Sequence, residues 1–216
     1  MIPPIPTQRD GADASPPTAL PVVLVLAAGR GQRYLASGGD SHKLDAVLAD
    51  ATVLEHVCRA VRAAGLPWAV VRPQGAATAG MGDSIAAGVR AHQHASGWLI
   101  LPGDMPLVDP DTLRQVARQL AHSPVVVPQW QGQPGHPVGF RRDCLDDLLP
   151  LHGDQGARAV VQAWRARGQV QALPVDDEGS VLDVDTVADL ARVQALWNSN
   201  PPMRPAAEPP RQRSLR

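Results

Sequence analysis

An aspartate follows an apolar segment in the middle of the chain. Trp98 to Leu101 is hydrophobic, and Pro102, Gly103 and Asp104 come directly after it. Turn residues beside a carboxylate hold it at the end of a strand, where Mg²⁺ can be bound through one or two carboxylates together with substrate phosphates. An aspartate in a turn is also a common structural residue, so this pattern alone leaves both interpretations open.

Small residues follow the first apolar segment, Val22 to Ala27. The chain continues with Ala28, Gly29 and, one residue further on, Gly31. Small residues after a strand let backbone N–H groups approach a phosphate or a base closely. A dinucleotide-binding GxGxxG turn is disfavoured because Tyr34 stands where its third glycine should be. A loop whose glycines serve only for turning remains an alternative.

Lysine occurs once in the chain. Of the 20 basic residues, 19 are arginine and only Lys43 is lysine. An ammonium group on a flexible stem differs from a planar guanidinium in shape and reach, so this position is a candidate for a specific phosphate contact. Survival of one lysine by chance is the alternative.

These residues together resemble a known signature. Leu26-Ala27-Ala28-Gly29, then Arg33 and Lys43, resemble the LAAGxSxRMGxxK motif of molybdenum cofactor cytidylyltransferases, which belong to the MobA-like nucleotidyltransferase superfamily. The segment Tyr34 to His42 is several residues longer than the corresponding part of the motif. The resemblance implies that the nucleotide is contacted by Ala27, Ala28, Gly29, Gly31, Arg33 and Lys43.

Further matches follow in family order: Val53 to Val57, Gly80 to Ser84, Leu101 to Pro106, Gly135 to Val138, Gly153 to Arg158 and Val181 to Thr186. The resemblance implies that Gly82 and Ser84 lie beside the nucleotide. A loop in which Ser84 only caps a helix is the alternative. The resemblance also assigns His136, Asp154 and Arg158 to the acceptor substrate, although such residues are more often structural.

The last matching segment resembles the family's DVDTPEDL sequence. This implies that Asp185 is the second metal ligand beside Asp104, with Asp183 as the next candidate. The alternative is that one of the two late aspartates caps the final helix. The expected cofactor is Mg²⁺, and the expected catalytic residues are Lys43, Asp104 and Asp185.

Strand-like and helix-like segments alternate along the chain. Strands are predicted at Val22 to Ala27, Trp68 to Val71, Trp98 to Leu101, Val125 to Val127, Val138 to Phe140 and Val170 to Val175. Helices are predicted at Thr52 to Ala64, Ser84 to His94, from Pro110 after the N-cap Asp109, and at Asp143 to Leu149, Gly156 to Arg167 and Val187 to Trp197. This order predicts an α/β fold with ligands at the carboxyl ends of the strands. The resemblance implies a three-layer α/β/α sandwich with a mostly parallel, Rossmann-like sheet of the nucleotide-diphospho-sugar transferase (GT-A-like) type.

The two ends of the chain differ from its centre. Residues 1–20 and 198–216 are rich in proline and lack periodicity, so both are predicted to be disordered tails around a nucleotidyltransferase domain at residues 21–197. A length of 216 residues fits one domain.

Composition excludes several classes of protein. A net charge of −1 argues against nucleic acid as the main partner. Cys58 and Cys144 are isolated, so neither a disulfide framework nor a thiolate zinc site is predicted. The longest apolar run, Ala19 to Ala28, is too short to cross a bilayer. The chain is therefore expected to be cytoplasmic, with no membrane partner.

The resemblance implies transfer of CMP from CTP to the phosphate of the molybdopterin-type cofactor, with release of pyrophosphate. It points to CTP because cytidylyl members carry LAAG, as here with Ala28, whereas guanylyl members carry LAGG. The alternatives are guanylyl transfer, a sugar-phosphate acceptor, a glycosyltransferase that uses Asp183 and Asp185 as a DxD motif, and a CTP-binding chaperone that delivers cofactor without turnover. A client molybdoenzyme is a further possible partner.

Overall fold

Residues 20–72 and 80–199 are described by the computed structural model. In this part of the chain nine strands occur: β1 (Val22–Leu26), β2 (Val47–Leu48), β3 (Ala51–Thr52), β4 (Trp68–Val71), β5 (Gly97–Pro102), β6 (Val125–Trp130), β7 (Gln133–Pro134), β8 (Val138–Arg141) and β9 (Val170–Pro174). The predicted tails lie outside the described residues, except for Leu20, Asn198 and Ser199.

Seven of these strands form one sheet, and β2 and β3 form a separate hairpin. The sheet order is β4-β1-β5-β8-β6-β7, and β9 also pairs with β6. Strand β1 is parallel to β4 and β5, and β9 is parallel to β6. Strand β8 is antiparallel to both β5 and β6, and β7 is antiparallel to β6. Five strands therefore run in one direction, which confirms the prediction of a mostly parallel sheet.

The helices of the described residues are α1 (Gln32–Ala36), α2 (Val53–Ala64), α3 (Met81–Ala91), α4 (Pro110–Gln119), α5 (Leu145–Leu148), α6 (Arg158–Ala166) and α7 (Val187–Ser199). Short 3₁₀ turns occur at Arg142–Cys144, Gly153–Gln155 and Glu178–Val181. No helix in residues 20–72 and 80–199 is both long and apolar enough to cross a membrane.

Local sequence signals explain where several helices begin. Thr52 accepts a hydrogen bond from the Glu55 N–H, and Glu55 accepts one from the Thr52 N–H, so a capping box starts α2. Gly65 ends this helix in the left-handed conformation, with φ 72°. Asp109 is the N-cap of α4 and Pro110 its first residue. These starts agree with the predicted ones.

Several predicted helix bounds need correction. Helix α5 begins at Leu145 and α6 at Arg158, each two residues after the predicted start, and α3 ends at Ala91, three residues before the predicted end. Helix α3 begins at Met81, three residues before the predicted start, and its N-cap is Gly80. Ser84 therefore lies inside the first turn of the helix and does not cap it, since its hydroxyl donates to the Gly80 carbonyl. The Asp83 carboxylate, three residues after Gly80, accepts the Gly80 N–H. Helix α7 continues to Ser199, two residues past the predicted end.

Side chains alternate between the two faces of the sheet and build two apolar clusters. One cluster joins strand residues such as Val23, Val25 and Leu99 to apolar residues of α2, α4 and α7. The other joins Leu24 and Ile100 to residues of α3, α5 and α6. Helices thus cover both faces, which gives the predicted three-layer α/β/α arrangement. Cys58 lies in the first cluster and Cys144 in the second, and both are free thiols.

Candidate functional site

A cleft of about 750 Å³ opens at the carboxyl ends of β1 and β5. Its walls are the loop after β1, the turn after β5, the start of α3, the turn before β8 and the segment before α7. The residues that line it include Ala28, Gly29, Gly31, Arg33, Lys43, Gly80, Met81, Ser84, Asp104, Gly135, His136, Asp154, Ser180, Asp183 and Asp185. This is the edge of the sheet at which ligands were predicted.

The loop after β1 is shaped by a histidine from the segment that follows it. Gly31 adopts a left-handed conformation, with φ 62°, at the N-cap of α1. A Cβ at this position would lie 3.2 Å from the His42 ring. A hydrogen bond of 2.7 Å joins His42 Nε2 to the carbonyl oxygen of Gly29. The loop from Ala28 to Gly31, called the glycine loop below, is therefore held by His42 at the end of the long segment Tyr34 to His42. The first residue of that segment, Tyr34, is buried in the apolar core.

Lys43 lies between two carboxylates from distant parts of the chain. Its Nζ is 2.5 Å from Asp104 Oδ2 and 2.7 Å from Asp185 Oδ1. Arg33 Nη1 is 2.5 Å from the other oxygen, Oδ2, of Asp185. The side chains of Lys43, Asp104 and Asp185 are 12%, 15% and 23% exposed, whereas that of Arg33 is 79% exposed. Three mostly buried side chains of opposite charge, those of Lys43, Asp104 and Asp185, therefore form the floor of the cleft, with Arg33 at its solvent side.

Electrostatics in this cluster favour a charged lysine. Burial alone would lower the pKa of Lys43, but the charge of Asp104 and the hydrogen bonds with Asp104 and Asp185 raise the pKa above its ordinary value. Lys43 is thus an ammonium ion at neutral pH. The pKa of Asp183 is raised, first by burial and then by repulsion from Asp104 and Asp185. The three aspartates therefore share one electrostatic environment.

One carboxylate oxygen in the cluster suits a hard cation. Asp104 Oδ1 is buried and has no hydrogen-bond partner among the described residues. Buried polar atoms normally have a partner, and oxygen is the ligand that Mg²⁺ prefers. In the described part of the chain no group of three or more His, Cys, Asp and Glu side chains could hold a metal by itself. A divalent ion here would therefore need substrate phosphates and water as its remaining ligands, which is the usual mode for Mg²⁺.

Neither late aspartate caps the final helix. The Asp189 carboxylate accepts hydrogen bonds from the N–H groups of Asp185 and Thr186, and the Asp189 N–H donates to the Thr186 hydroxyl. These bonds close the first turn of α7. The side chains of Asp183 and Asp185 are left facing the cleft, so the capping alternative was wrong.

His136 lines the same cleft from the turn before β8. Its Nδ1 is buried and has no hydrogen-bond partner among residues 20–72 and 80–199. Burial lowers the pKa of His136, against the opposing effects of a hydrogen bond to the Ile100 backbone and of the charge of Asp104. The His136 N–H donates to the Ser180 carbonyl at 2.8 Å, which ties this turn to the segment before α7. The ring is thus an uncharged hydrogen-bonding group at neutral pH.

Most of the predicted site residues meet in the cleft, and three do not line it. Ala27 is buried at the end of β1 and donates its N–H to the Val71 carbonyl. Gly82 packs against the backbone of His152. Arg158 is exposed at the start of α6. The chemical roles assigned to all of these residues remain predictions.

Sequence reasoning missed three residues that shape the cleft. His42 supports the glycine loop, and Ser180 is fully buried beneath Gly135. Asp83 accepts hydrogen bonds from the N–H groups of Gly80 and Gly153. A carboxylate three residues after a helix N-cap is a recognisable sequence signal for Asp83. No comparable local signal marks His42 or Ser180, because their contacts form only in the folded chain.

Comparison with solved structures identifies proteins of the same fold. Rv0371c from Mycobacterium tuberculosis H37Rv is 28% identical, with a TM-score of 0.68, and the match covers 83% of this chain and 99% of that one. Its complex with manganese aligns at the same 28% identity, with a TM-score of 0.63 and coverage of 82% and 98%. A nucleotidyl transferase from Methanothermobacter is 24% identical, with a TM-score of 0.70 and coverage of 84% and 99%. The molybdopterin-guanine dinucleotide biosynthesis protein A of Archaeoglobus fulgidus is 20% identical, with a TM-score of 0.54 and coverage of 83% and 100%.

Comparison of sequences gives the family. A search of curated proteins finds no significant match. The family model of the MobA-like NTP transferase domain matches residues 23–170, which is well over half of the chain. The match starts within β1 and ends at the first residue of β9, so it contains the glycine loop, Lys43 and Asp104. The chain therefore belongs to the MobA-like family of nucleotidyltransferases.

Proposed function

We propose that this nucleotidyltransferase transfers CMP from CTP to the phosphate of a molybdopterin-type molybdenum cofactor and releases pyrophosphate. The observation that carries the proposal is the cluster of Lys43, Asp104 and Asp185 at the floor of a cleft whose rim is the glycine loop. A positive charge and carboxylate oxygens of the kind that bind divalent ions lie together there, which supports the binding of a triphosphate with its metal ion. A client molybdoenzyme that receives the product is a further expectation of this proposal.

The reaction needs positioning and charge neutralisation more than proton transfer. An oxygen of the acceptor phosphate attacks the α-phosphorus of CTP, the bond from the α-phosphorus to the bridging oxygen breaks, and pyrophosphate leaves. A phosphate monoester is already largely ionised near pH 7, so no general base has to remove a proton from it. Rate enhancement then comes from alignment of the two phosphates and from stabilisation of the charge that develops between them.

The residues of the cleft divide this work. Backbone N–H groups of the Ala28 to Gly31 loop are suited to bind phosphate oxygens. Lys43 exchanges its carboxylate partners for the phosphates of the nucleotide, and Arg33, at the solvent side, approaches the same phosphates. Asp104 and Asp185 would hold a divalent ion, with Asp183 beside them. That ion, Mg²⁺ in this proposal, supplies positive charge to the phosphate oxygens when it is bound.

Two observations support the choice of metal and of base. A structure of the relative Rv0371c is a complex with manganese, a divalent ion that takes oxygen ligands as Mg²⁺ does. Ala28 lines the cleft in the loop after β1, where its methyl group occupies space that a glycine would leave open. A pyrimidine beside this position needs less room than a purine does.

Pyrophosphate release with purified protein, Mg²⁺ and molybdopterin cofactor tests the proposal. We expect release with CTP and markedly less with GTP. Equal use of both nucleotides would contradict cytidylyl transfer, and release with a sugar phosphate in place of the cofactor would contradict the proposed acceptor. Binding of CTP without any release would indicate a cofactor-delivery protein.

A further inference from the structure

The start of α3 and the segment 152–155 approach each other backbone to backbone. A Cβ on Gly80 would lie 2.2 Å from the carbonyl carbon of Gly153, and one on Gly82 would lie 2.7 Å from the His152 carbonyl oxygen. Real Cβ contacts are not this short, so both positions require glycine unless one backbone moves. The two segments therefore form a close-packed seam at one wall of the cleft.

A single carboxylate oxygen joins the two sides of this seam. Asp83 Oδ2 accepts the Gly80 N–H at 2.8 Å and the Gly153 N–H at 3.0 Å. Within the part of the chain that the structure describes, the bond from Gly153 is the only hydrogen bond between α3 and the segment 152–155. Hydrogen bonds to a charged group are stronger than neutral ones, and they are lost entirely if that side chain is truncated.

The seam separates residues with different proposed partners. Met81 and Ser84 of α3 and its N-cap Gly80 line the cleft, and Ser84 is proposed to lie beside the nucleotide. Asp154, directly after Gly153, lines the cleft from the other side and is proposed to bind the acceptor. Asp83 is not among the cleft-lining residues. Its hydrogen bonds therefore influence the substrates through the positions of its neighbours.

We propose that Asp83 is a positioning residue for the acceptor substrate, because its carboxylate holds the segment that carries Asp154 at a set distance from the nucleotide side of the cleft. This inference rests on the proposed function for the identity of the two substrates. The hydrogen-bonded geometry on which it depends is independent of that function. An acidic residue near a helix start can also act only as a cap, so the test has to separate positioning from capping.

Helix α2 offers a matched control for capping alone. Glu55 Oε2 accepts the Thr52 N–H at 2.8 Å, which is the same capping bond that Asp83 makes with Gly80. Within residues 20–72 and 80–199, Glu55 forms no hydrogen bond to a second segment of the cleft wall, and its side chain interacts with Thr52, Arg59 and His56. Glu55→Ala should therefore lower thermal stability without changing substrate affinity.

Steady-state kinetics of Asp83→Ala, Asp83→Asn and Glu55→Ala test the proposal. We expect Asp83→Ala to raise the KM for the acceptor at least about tenfold, because misplacement of a binding group is costly, while the KM for the nucleotide changes much less. Asp83→Asn should restore most of the loss, because its amide oxygen can still accept both N–H groups. A loss of Tm alone, as expected for Glu55→Ala, or an equal rise of both KM values would overturn the proposal.

Hydrogen exchange provides a readout that needs no substrate. Asp83→Ala should speed amide exchange in residues 152–156, whereas Asp83→Asn and Glu55→Ala should leave it near the wild-type rate. If the protein releases no pyrophosphate with molybdopterin cofactor, the proposed function fails while the exchange comparison still stands. Unchanged exchange in Asp83→Ala would overturn the positioning role whatever the substrate is.

Discussion

Two positive and two negative side chains neutralise one another's charge in the cleft. They are Lys43, Arg33, Asp104 and Asp185. Three of these side chains are mostly buried, so removal of any one leaves a charge without its partner in a poorly solvated place. Such a cluster can reorganise when a triphosphate and a metal ion arrive, because the new charges compensate those that separate. The same residues can therefore stabilise one another in the folded protein and, in the proposed function, bind the substrate.

The proposed metal-binding role of Asp104 is tested by Asp104→Asn, which keeps the shape of the side chain but removes its charge. We expect turnover to fall by about 10²-fold or more while the far-ultraviolet circular dichroism spectrum is unchanged. Asp143→Asn is a matched control, because Asp143 is a solvent-exposed partner of Arg141 that lies outside the cleft lining. Near-normal turnover of Asp104→Asn would exclude Asp104 from the metal site.

The same substitution by asparagine shows which of Asp183 and Asp185 contributes more to the proposed metal site. Asp185→Asn should resemble Asp104→Asn, since Asp185 shares Lys43 with it. A larger loss in Asp183→Asn than in Asp185→Asn would reverse their order.

The role of the single lysine is tested by two substitutions. Lys43→Ala should severely reduce kcat/KM for the nucleotide and leave Asp104 and Asp185 to repel each other. Lys43→Arg should restore activity only in part, because a planar guanidinium cannot match the position of an ammonium between two carboxylates. Kinetics with varied nucleotide concentration measure both effects. Full activity in Lys43→Arg would show that the position requires only positive charge.

Base selection is tested at Ala28. Removal of its methyl group should raise the use of GTP relative to CTP, because one carbon in a pocket contributes roughly 10- to 200-fold discrimination. Values of kcat/KM for CTP and GTP in wild type and in Ala28→Gly give this ratio directly. A wild type that uses both nucleotides equally would refute the steric explanation.

At the scale of elements, the seam between α3 and the segment 152–155 depends on the absence of a side chain. Gly82→Ala should cost about 1–3 kcal/mol of folding free energy, because the new methyl group meets backbone that cannot move away as a side chain could. It should also raise the KM values for the two proposed substrates, because it displaces the cleft wall. Ala86→Gly, in the same helix, costs about 1 kcal/mol without displacing that wall, so it should leave KM unchanged. Thermal melts and steady-state kinetics on both variants check these expectations.

Elements with strong local signals were predictable from the sequence. The start of α4 follows from Asp109 and Pro110, and that of α2 from Thr52 with Glu55. The start of α3 was misplaced because its N-cap, Gly80, carries no side chain that could mark it. The late aspartates looked like possible caps, but Asp189 makes that contact instead. Local pattern cannot choose between two carboxylates that are both near a helix start.

Which residues belong to the candidate site was easier to predict from the sequence than how their side chains contact one another. The carboxyl ends of parallel strands meet at one edge, so Ala28 and Asp104 were expected together. The salt bridges of Lys43 join residues 61 and 142 positions away along the chain, and no local rule gives such contacts. Arg158 was expected near the acceptor, but the start of α6 is exposed and outside the cleft lining. The position of Arg158 depends on how α6 packs on the sheet, and local sequence pattern does not predict that packing.

At the scale of the whole molecule, one sheet separates two apolar clusters, and each cluster buries one cysteine. Burial raises the pKa of Cys58, and burial together with nearby Asp147 and Asp143 raises the pKa of Cys144 to about 12. Neither thiol is therefore ionised in the folded protein at pH 8. A thiol reagent can react with each one only after the surrounding layer opens. The labelling rate of each cysteine therefore reports how often the helices on its face of the sheet open.

We expect Cys144 to be labelled before Cys58 in dilute denaturant. Cys144 directly precedes α5, a helix of 4 residues, whereas Cys58 lies within α2, a helix of 12 residues in the larger apolar cluster of the described chain. The Cys58→Ala and Cys144→Ala variants, labelled in dilute denaturant and followed by mass spectrometry, give the two rates separately. Different rates would mean that one layer of helices detaches while the sheet and the other layer persist. Identical rates would show that both layers open in one cooperative event, and the sheet would then couple them completely.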